Sequence, residues 1–417
     1  MPQPSALPGD WCGRARIRAP SLVAVRELAN QRCPLTRPEI LQPDVAPGVV
    51  PGGAQVMLWR YMLPERIALQ SREHARFDAA ELAVVLSHYD LGVIESVTDF
   101  SRGSRRSPKV GIVSEKGKFL LKRRSLERSN PDRLRFTHSV QKHLVSAGFP
   151  VPKLIPTRDR GFELLNIRDL VYELFEFVPG QPYRQTSQEA LDAGALLARF
   201  HRATEDFVAA STLPTPRGDY HDAPGVRTGL CTIGSKLSSH DSFTGDESEL
   251  AALTQFLLAS YDRAAESVNC VGLPSWPERV THSDWHPGNL LFRNQKVVAV
   301  IDYDASRLSR LVIDLANGTL QFSIIGGGDP VTWPEHPDEK RFHAFLSGYQ
   351  SLATLSEPER SCIPGLMIEA LIAECVPPIT RTGSVGRWAG YRVLQMVKRK
   401  VNWLEAHGER LIRASQR

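Results

Sequence analysis

Residues 280–314 constrain this chain more than any other stretch, because their polar side chains follow short apolar, β-prone runs. The stretch reads VTHSDWHPGN, an apolar run, RNQK, a second apolar run and then IDYD. Two short β-prone runs on either side of a polar tetrapeptide are typical of a β-hairpin. Such a hairpin would bring the loop of Asp284 and the side chain of Asp302 to the same end.

This arrangement suits phosphoryl transfer. Asp284 and Asn289 have the spacing of a kinase catalytic loop, in which an Asp takes or orients the proton of a substrate hydroxyl and an Asn holds magnesium. Asp302 is placed for the other magnesium role, because a hard cation prefers carboxylate oxygen. Phosphoryl transfer requires mainly positioning and charge neutralisation, so these groups are sufficient protein chemistry. We therefore predict Asp284 as the base, and Asn289 and Asp302 as metal ligands.

His282 and Asp314 complete the predicted catalytic set. We expect His282 to support the loop rather than to transfer protons. Asp314 belongs to the sequence IDLA at a predicted helix start, and we expect its carboxylate to hold the loop backbone rather than to touch substrate.

Two other interpretations of the same residues are open. The tetrapeptide HPGN alone is an ordinary turn signal. His282, Asp284 and His286 could serve as zinc ligands, but neither a cysteine nor an HxxxH spacing supports that set. The conjunction of loop, hairpin, IDYD and IDLA favours the kinase-type interpretation.

The segments HSDWHPGN and IDYD resemble the aminoglycoside phosphotransferase and choline kinase superfamily of small-molecule kinases. The resemblance covers about residues 78–407 and implies an α+β, bilobal protein-kinase-like fold, with a small antiparallel-sheet N-lobe and a larger, mainly helical C-lobe. It also implies ATP and Mg²⁺ as cofactors and a small hydroxylated acceptor. The segments YDLG, FLLKR, VQKHL and GFPVP look closest to the spore-coat-associated and homoserine-kinase-like branch.

The N-lobe is predicted to contain one helix and then a meander of three strands. Asp78 is the expected N-cap of the helix. Gly103 and Ser104 lie in the loop after the first strand, and we expect this loop to cover the nucleotide phosphates. Lys122, in the third strand, matches the kinase lysine that binds the α- and β-phosphates. The predicted ranges are residues 79–89 for the helix and 93–100, 109–114 and 118–123 for the strands.

Two features depart from the kinase pattern. The loop has a single useful glycine, Gly103, and does not match G-x-G-x-x-G. The helix predicted over residues 131–147 lacks the central glutamate that pairs with the strand lysine in kinases. Glu127 lies just before this helix, and His138, Gln141 or a water-mediated contact could replace the pair.

A hairpin over residues 163–166 and 170–177 is predicted to complete the N-lobe sheet. The segment YELFEFVPG then forms the hinge to the next lobe. We expect the backbone of Glu176 and Phe177 to bind the adenine edge, and the phenylalanine side chains to belong to the core.

The rest of the chain is predicted to form the helical C-lobe. Residues 203–245 are rich in loop signals and are expected to be a substrate lid or surface decoration. Acceptor pockets in this superfamily are built from C-terminal helices, but none of Glu369, Glu374, Trp388 and Tyr391 is assigned individually to such a pocket. The predicted helices are residues 187–202, 247–268, 315–325, 342–352, 357–375 and 386–406.

The length of 417 residues predicts two lobes with an extension. The predicted parts are residues 1–70 as an irregular extension, 71–180 as the N-lobe and 181–417 as the C-lobe. Met57 or Met62 would be alternative starts if the extension is not translated.

Composition narrows the functional class. The net charge of +5 is mild and does not favour nucleic acid as a partner. No apolar run reaches membrane-spanning length and no basic-then-apolar signal opens the chain, so we expect no membrane partner and a cytoplasmic location. The six cysteines contain no C-x-x-C pair, so free thiols are expected. The oligomeric state stays open.

The leading hypothesis is an ATP- and Mg²⁺-dependent kinase for a hydroxyl group of a small molecule. The acceptor could be a sugar, an amino alcohol, homoserine or an aminoglycoside, since one fold hosts many substrates. The alternative is a non-catalytic nucleotide-binding structural or assembly protein, which the thin glycine loop and the absent helix glutamate favour. A protein kinase is disfavoured, because no A-P-E motif or activation loop follows Asp302.

Overall fold

The structure, a computed structural model, describes residues 76–100, 107–125, 130–159, 161–208, 218–239, 243 and 245–414. The predicted extension over residues 1–70, and Gly103, Ser104 and Glu127, lie outside these ranges. The described residues divide into two compact units. The first contains residues 76–131 and 152–177, and the second contains residues 132–151 and 178–414.

The first unit is an antiparallel sheet with one helix. Helix α1 (Ala79–Leu86) has the predicted N-cap, since Oδ1 of Asp78 accepts a hydrogen bond from the Glu81 N–H at 2.7 Å, but it ends three residues earlier than predicted. The five strands are ordered β1-β2-β3-β5-β4, so β3 is the central strand. The strands are β1 (Ile94–Asp99), β2 (Lys109–Ser114), β3 (Gly117–Ser125), β4 (Leu165–Ile167) and β5 (Leu170–Glu176).

A buried polar contact fastens α1 to this sheet. Both terminal oxygens of Glu81 accept from Nη1 of Arg123, at 2.7 and 2.6 Å, and Tyr172 donates its hydroxyl to the same carboxylate at 2.8 Å. The guanidinium of Arg123 also lies over the Phe77 ring, 4.8 Å from its centroid. This charge-assisted network fixes the face of β3 that carries Leu121 against α1.

The second unit is mainly helical and has one continuous apolar core. Its small sheets pair β6 with β9, β7 with β8 and β10 with β11. The α+β prediction, with a small antiparallel sheet and a helical C-terminal part, is confirmed. The helices are α2 (Pro131–Ser146, its first residue in the other unit), α3 (Ser187–Ala203), α4 (Pro224–Ser238), α5 (Glu247–Cys270), α6 (Leu311–Ser323), α7 (Glu339–Gln350), α8 (Glu357–Thr382) and α9 (Gly390–Ala414). The strands are β6 (Arg279–Thr281), β7 (Leu290–Arg293), β8 (Lys296–Val300), β9 (Arg307–Ser309), β10 (Ser384–Val385) and β11 (Trp388–Ala389).

The prediction of a loop-rich insert over residues 203–245 is wrong for its second half. Pro224 occupies the first turn of α4, where its missing N–H costs nothing. Val226, Leu230, Ile233 and Leu237 are buried at helical spacing against the neighbouring helices. The sequence contains this spacing, but a proline beside several glycines and other prolines also indicates a loop, and only the packing of the buried face decides for the helix.

Helix α8 continues seven residues past its predicted end at residue 375. Pro377 and Pro378 lie inside it, and the helix ends at Gly383, whose φ of 68° is left-handed. Val376 and Ile379 are fully buried on either side of the prolines. Their packing outweighs the roughly 3 kcal/mol that an internal proline costs.

Helix α8 is also long and apolar enough to cross a membrane by length and composition alone. However, 78% of its most apolar window is buried inside the molecule, which a core helix explains equally well. Among the residues that the structure describes, no other helix passes the same test. The predicted cytoplasmic location stays a prediction.

Helices α3 and α7 touch backbone to backbone. A Cβ atom at Gly194 would overlap the carbonyl oxygen of Phe345, and a Cβ at Gly348 would overlap the carbonyl oxygen of Leu191. The two glycines are therefore reciprocal, each opposite the main chain of the other helix. Neither helix can move away from this contact without opening the core that it covers.

We expect Gly348→Ala to lower the free energy of unfolding by about 3 kcal/mol or more, because the new methyl group meets a rigid carbonyl. Gly234→Ala in α4 is the matched control, since a Cβ there meets nothing within 4 Å. That substitution should raise stability by about 0.5–1 kcal/mol, because alanine favours a helix over glycine. Urea unfolding of both variants measures the difference, and equal effects would contradict the contact.

Lys400 is a buried amine in α9. Its Nζ donates to the carbonyl of Pro334 at 2.5 Å, and burial, reinforced by the neighbouring Arg399, lowers its pKa to about 7. The unfolded chain therefore binds the proton more tightly than the folded chain does, so stability should rise from pH 7 to about pH 10.

We expect Lys400→Met to remove part of this rise. Between pH 7 and pH 10, the urea midpoint of the wild type should therefore increase more than that of the variant. Lys398→Met is the control, because it removes a second lysine from the same helix, one whose ammonium group lies over the ring of Phe256 of α5. A pH dependence identical in all three proteins would refute the assignment.

Candidate active site

The predicted hairpin is confirmed and brings the two ends of the motif together. Strands β7 and β8 are antiparallel, and Leu290 lies opposite Val300. Just beyond this pair, the N–H of Ile301 donates to the carbonyl of Asn289 at 2.9 Å. Asn289 and Asp302 therefore lie at the same end of the hairpin.

The Asp284 carboxylate is held from within its own loop. The side-chain amide of Asn289 donates through Nδ2 to Oδ2 of Asp284 at 2.9 Å and to its carbonyl at 3.0 Å. The N–H of Gly288 donates to Nδ1 of His286, which leaves the hydrogen of that ring on Nε2, 3.5 Å from Oδ1 of Asp284. Asp284 is thus oriented by two neighbours while it remains partly accessible to solvent.

Asp314 holds the backbone of the loop through hydrogen bonds. It lies in the first turn of α6, fully buried, and its two oxygens accept the backbone N–H groups of His282 at 2.8 Å and Ser283 at 3.0 Å. Ser283 has a φ of 59°, a left-handed conformation that costs a non-glycine residue about 1 kcal/mol or more. The two hydrogen bonds hold this strained turn, and Asp284 follows it directly.

The charge of Asp314 is maintained in the buried site. Burial raises the pKa of its carboxyl, but hydrogen bonds from His201 and from the His282 backbone outweigh this effect, so that the pKa lies below its usual value. The carboxylate is therefore ionised at neutral pH, as an acceptor of several hydrogen bonds must be.

His282 is enclosed by aromatic rings. Its ring centroid lies 4.9 Å from that of Tyr303, 5.5 Å from Trp285 and 6.1 Å from Phe200, and its ring nitrogens have no hydrogen-bond partner. Complete burial lowers its pKa, although Asp314 and Asp284 act in the opposite direction. A neutral imidazole packed in this way suits a structural role in the loop better than proton transfer.

Asp302 precedes a short 3₁₀ turn over Tyr303–Ala305 and has a left-handed φ of 63°. The same turn is clamped by Arg133 of α2, whose guanidinium donates to the carbonyl of Asp304 at 2.6 and 2.9 Å. Strained backbone conformations of this kind cluster at functional sites.

Asn289 and Asp302 suit a magnesium ion. The amide of Asn289 donates through its nitrogen to Asp284, so its oxygen is the atom left for a cation. Two oxygen ligands are enough when phosphates and water supply the rest of the shell. Within the described ranges, no group of three or more His, Cys, Asp or Glu side chains could hold a metal ion by itself.

The predicted nucleotide-binding residues belong to the first unit, and Gly103 and Ser104 lie outside the described residues. Lys122 is buried on central strand β3, opposite Glu173 of β5. The N–H groups of Glu176 and Phe177 are donated to the carbonyls of Lys153 and Lys118, at 2.8 and 2.9 Å. An adenine edge would therefore have to use other backbone atoms of this segment.

Sequence reasoning missed two residues behind Asp314. Nε2 of His201 lies 3.4 Å from Oδ2 of Asp314, and Nδ1 of the same ring lies 2.9 Å from the Tyr349 hydroxyl. His201 lies in the segment LARFH at the end of α3, but its contact with Asp314, 113 residues away, is not visible in the sequence. Nothing marked Tyr349, because its partner is 148 residues away.

The four C-terminal residues named for a pocket have structural partners. Glu369 is buried and accepts from Nδ1 of His221 at 2.9 Å, and Gln321 donates to Glu374 at 2.5 Å. Trp388 donates to a backbone carbonyl, and Tyr391 donates to a glutamate of α5.

We expect Asp314→Asn to speed amide hydrogen exchange at His282 and Ser283 by at least tenfold, because an asparagine retains one acceptor oxygen for two N–H groups. Asp192→Asn is the control, since Asp192 accepts the backbone N–H of Val297 at the turn end of the hairpin. Its loss should leave exchange at His282 and Ser283 unchanged. Unchanged exchange in Asp314→Asn would show that another group holds the loop.

Comparison with known proteins places this chain in a family. A profile of the phosphotransferase enzyme family matches residues 97–355, more than half of the chain. The homoserine kinase of Xanthobacter autotrophicus is 26% identical over 292 residues, which cover 69% of this chain and 81% of that protein.

Two solved kinases share the fold. An amicoumacin kinase in complex with AMP-PNP and Ca²⁺ superposes with a TM-score of 0.57 at 16% identity, covering 79% of this chain and 94% of that one. A microcompartment-associated aminopropanol kinase gives a TM-score of 0.57 at 15% identity, covering 80% and 98%. The predicted protein-kinase-like fold is confirmed. The chain therefore belongs to the phosphotransferase enzyme family, and the expectation of a small-molecule kinase with an alcohol group as acceptor is confirmed.

Proposed function

We propose that the chain transfers the γ-phosphoryl group of ATP, in the presence of Mg²⁺, to the hydroxyl group of a small amino alcohol. Asp284 carries the proposal, because its carboxylate is fixed by Asn289 in a loop that Asp314 supports. Its carboxylate takes the acceptor hydroxyl's proton as the oxygen attacks the γ-phosphorus, the bond from this phosphorus to the β,γ-bridging oxygen breaks and ADP leaves.

Asn289 and Asp302 would hold the magnesium ion through their side-chain oxygens. The ion, when bound, neutralises negative charge on the phosphates. In this proposal, the hydrogen bond between Asn289 and Asp284 aligns the base and one metal ligand, so a substitution that removes this bond disturbs both.

The remaining assignments are also proposals. Lys122 binds the nucleotide phosphates, Gly103 and Ser104 cover them, and the segment around Glu176 and Phe177 binds the adenine edge. His282 and Asp314 keep Asp284 in place. The division into residues 1–70, 71–180 and 181–417 belongs to the same proposal, with ATP in the N-lobe part and the acceptor in the C-lobe part.

An acceptor that carries an ammonium group is favoured by two observations. Relatives named homoserine kinase match more than two thirds of this chain. Burial raises the pKa of the Tyr220 hydroxyl, and the nearby carboxylates of Glu369, Asp219, Asp314 and Glu374 raise it further, so acidic side chains lie near this hydroxyl. Tyr220 lies close to Asp314, because its hydroxyl donates to the carbonyl of the preceding residue, Ile313, at 2.8 Å.

We expect Asp284→Asn to reduce kcat by about 10³-fold or more while ATP binding changes less than threefold. The asparagine oxygen can still accept from Asn289, so the loop should persist while the base is lost. Asp262→Asn is the control and should retain full activity. Asp262 lies on α5, and its carboxylate is paired with Arg227 of α4. Turnover that survives in Asp284→Asn would refute the assignment.

An acceptor panel tests the proposed substrate class. Magnesium-dependent ADP release should be stimulated by homoserine or by 1-amino-2-propanol. 4-Hydroxybutyrate, which lacks the ammonium group of homoserine, should be at least tenfold poorer in kcat/KM, because buried polar partners would be left unpaired. Equal use of 4-hydroxybutyrate would exclude ammonium recognition, and ATP binding without turnover on any acceptor would support a non-catalytic scaffold.

A further inference from the structure

The contact between α3 and α7 determines where Tyr349 lies. Gly348, which precedes it, allows the backbones of the two helices to touch. The Tyr349 ring then packs edge-on against His201, with ring centroids 5.6 Å apart and an interplanar angle of 74°. Both residues are only 4% exposed, so water does not compete for their polar atoms.

The polar atoms of these residues form a chain that ends at the catalytic loop. The Tyr349 oxygen lies 2.9 Å from Nδ1 of His201, and Nε2 of His201 lies 3.4 Å from Oδ2 of Asp314. The same Oδ2 atom accepts the backbone N–H of His282 at 2.8 Å. Three helices, α3, α6 and α7, each contribute one side chain to this chain.

The direction of the hydrogen bonds follows from the two ends. An ionised Asp314 carboxylate can only accept, so Nε2 of His201 must carry a hydrogen. In the neutral imidazole, Nδ1 is then an acceptor, and the Tyr349 hydroxyl is its donor. Burial, with a smaller contribution from Glu359, raises the pKa of Tyr349, so the phenol keeps its proton.

We propose that Tyr349 is a positioning residue for phosphoryl transfer, which acts by holding His201 in the tautomer that donates to Asp314. Without the hydroxyl, the Asp314 carboxylate alone favours the hydrogen on Nε2, and the population of the tautomer that carries it on Nδ1 increases. A lone pair would then face the Asp314 carboxylate, and the support of residues 282 and 283 would weaken. The proposal rests on the function proposed above.

Tyr349→Phe tests this idea while the ring packing is retained. We expect kcat to fall three- to tenfold, with KM for ATP and for homoserine within twofold of wild type, because misplacement of Asp284 affects the reacting geometry rather than binding. Tyr183→Phe is the matched control. Tyr183 is also a hydroxyl donor inside the protein, but its acceptor is the backbone carbonyl of Phe322, so loss of this hydroxyl should leave kcat unchanged.

Nitrogen-15 NMR of histidine-labelled protein gives a readout that does not depend on turnover. The His201 signals are those absent from His201→Gln. Wild-type His201 should show a protonated Nε2 and an unprotonated, hydrogen-bonded Nδ1, and Tyr349→Phe should shift the Nδ1 signal and mix the tautomers. An unchanged His201 spectrum in Tyr349→Phe would overturn the proposal.

A double-substitution cycle separates action through His201 from an independent effect. In the His201→Gln background, Tyr349→Phe should change kcat by less than twofold. A full three- to tenfold loss in that background, or an unchanged kcat in Tyr349→Phe alone, would overturn the inference and leave the proposed function intact. Absence of acceptor-dependent turnover in the wild-type protein would instead overturn the proposed function, and the positioning role of Tyr349 with it.

Discussion

The loop of the proposed base Asp284 is held by a buried carboxylate. Asp314 accepts two consecutive backbone N–H groups, of His282 and Ser283, and so stabilises a left-handed turn that a serine does not favour. The next residue is Asp284, whose direction follows from that turn. Because Asp314 is fixed in the first turn of a buried helix, the position of the proposed base is set by the helical core rather than by the loop itself.

The surroundings of the loop make this arrangement rigid. His282 is neutral and packed among three aromatic rings, and Arg133 fastens the turn after Asp302. Each contact restricts the conformations that the loop can adopt. One cost of this packing is that the buried ring nitrogens of His282 have no hydrogen-bond partner. Reactions that rely on positioning and charge neutralisation benefit from such preorganisation.

The sequence was sufficient for local elements and for residues that share one motif. The hairpin and the N-cap Asp78 follow from patterns a few residues long, and Asp314 was found because IDLA begins a helix. Contacts between distant helices were not accessible in this way: His201 and Tyr349 meet only because reciprocal glycines allow α3 and α7 to touch. Helix α4 was not predicted, because residue type alone does not distinguish a proline in the first turn of a helix from a proline in a loop.

The backbone contact between α3 and α7 also bears on how the enzyme responds to heat. Helices that meet through side chains can shift by small rotamer changes, whereas two main chains in contact have no such intermediate adjustment. The helices that bear His201 and Tyr349 should stay docked until the core itself opens. Heating should therefore abolish activity and tertiary structure over the same temperature interval, with no inactive but folded species before the unfolding transition.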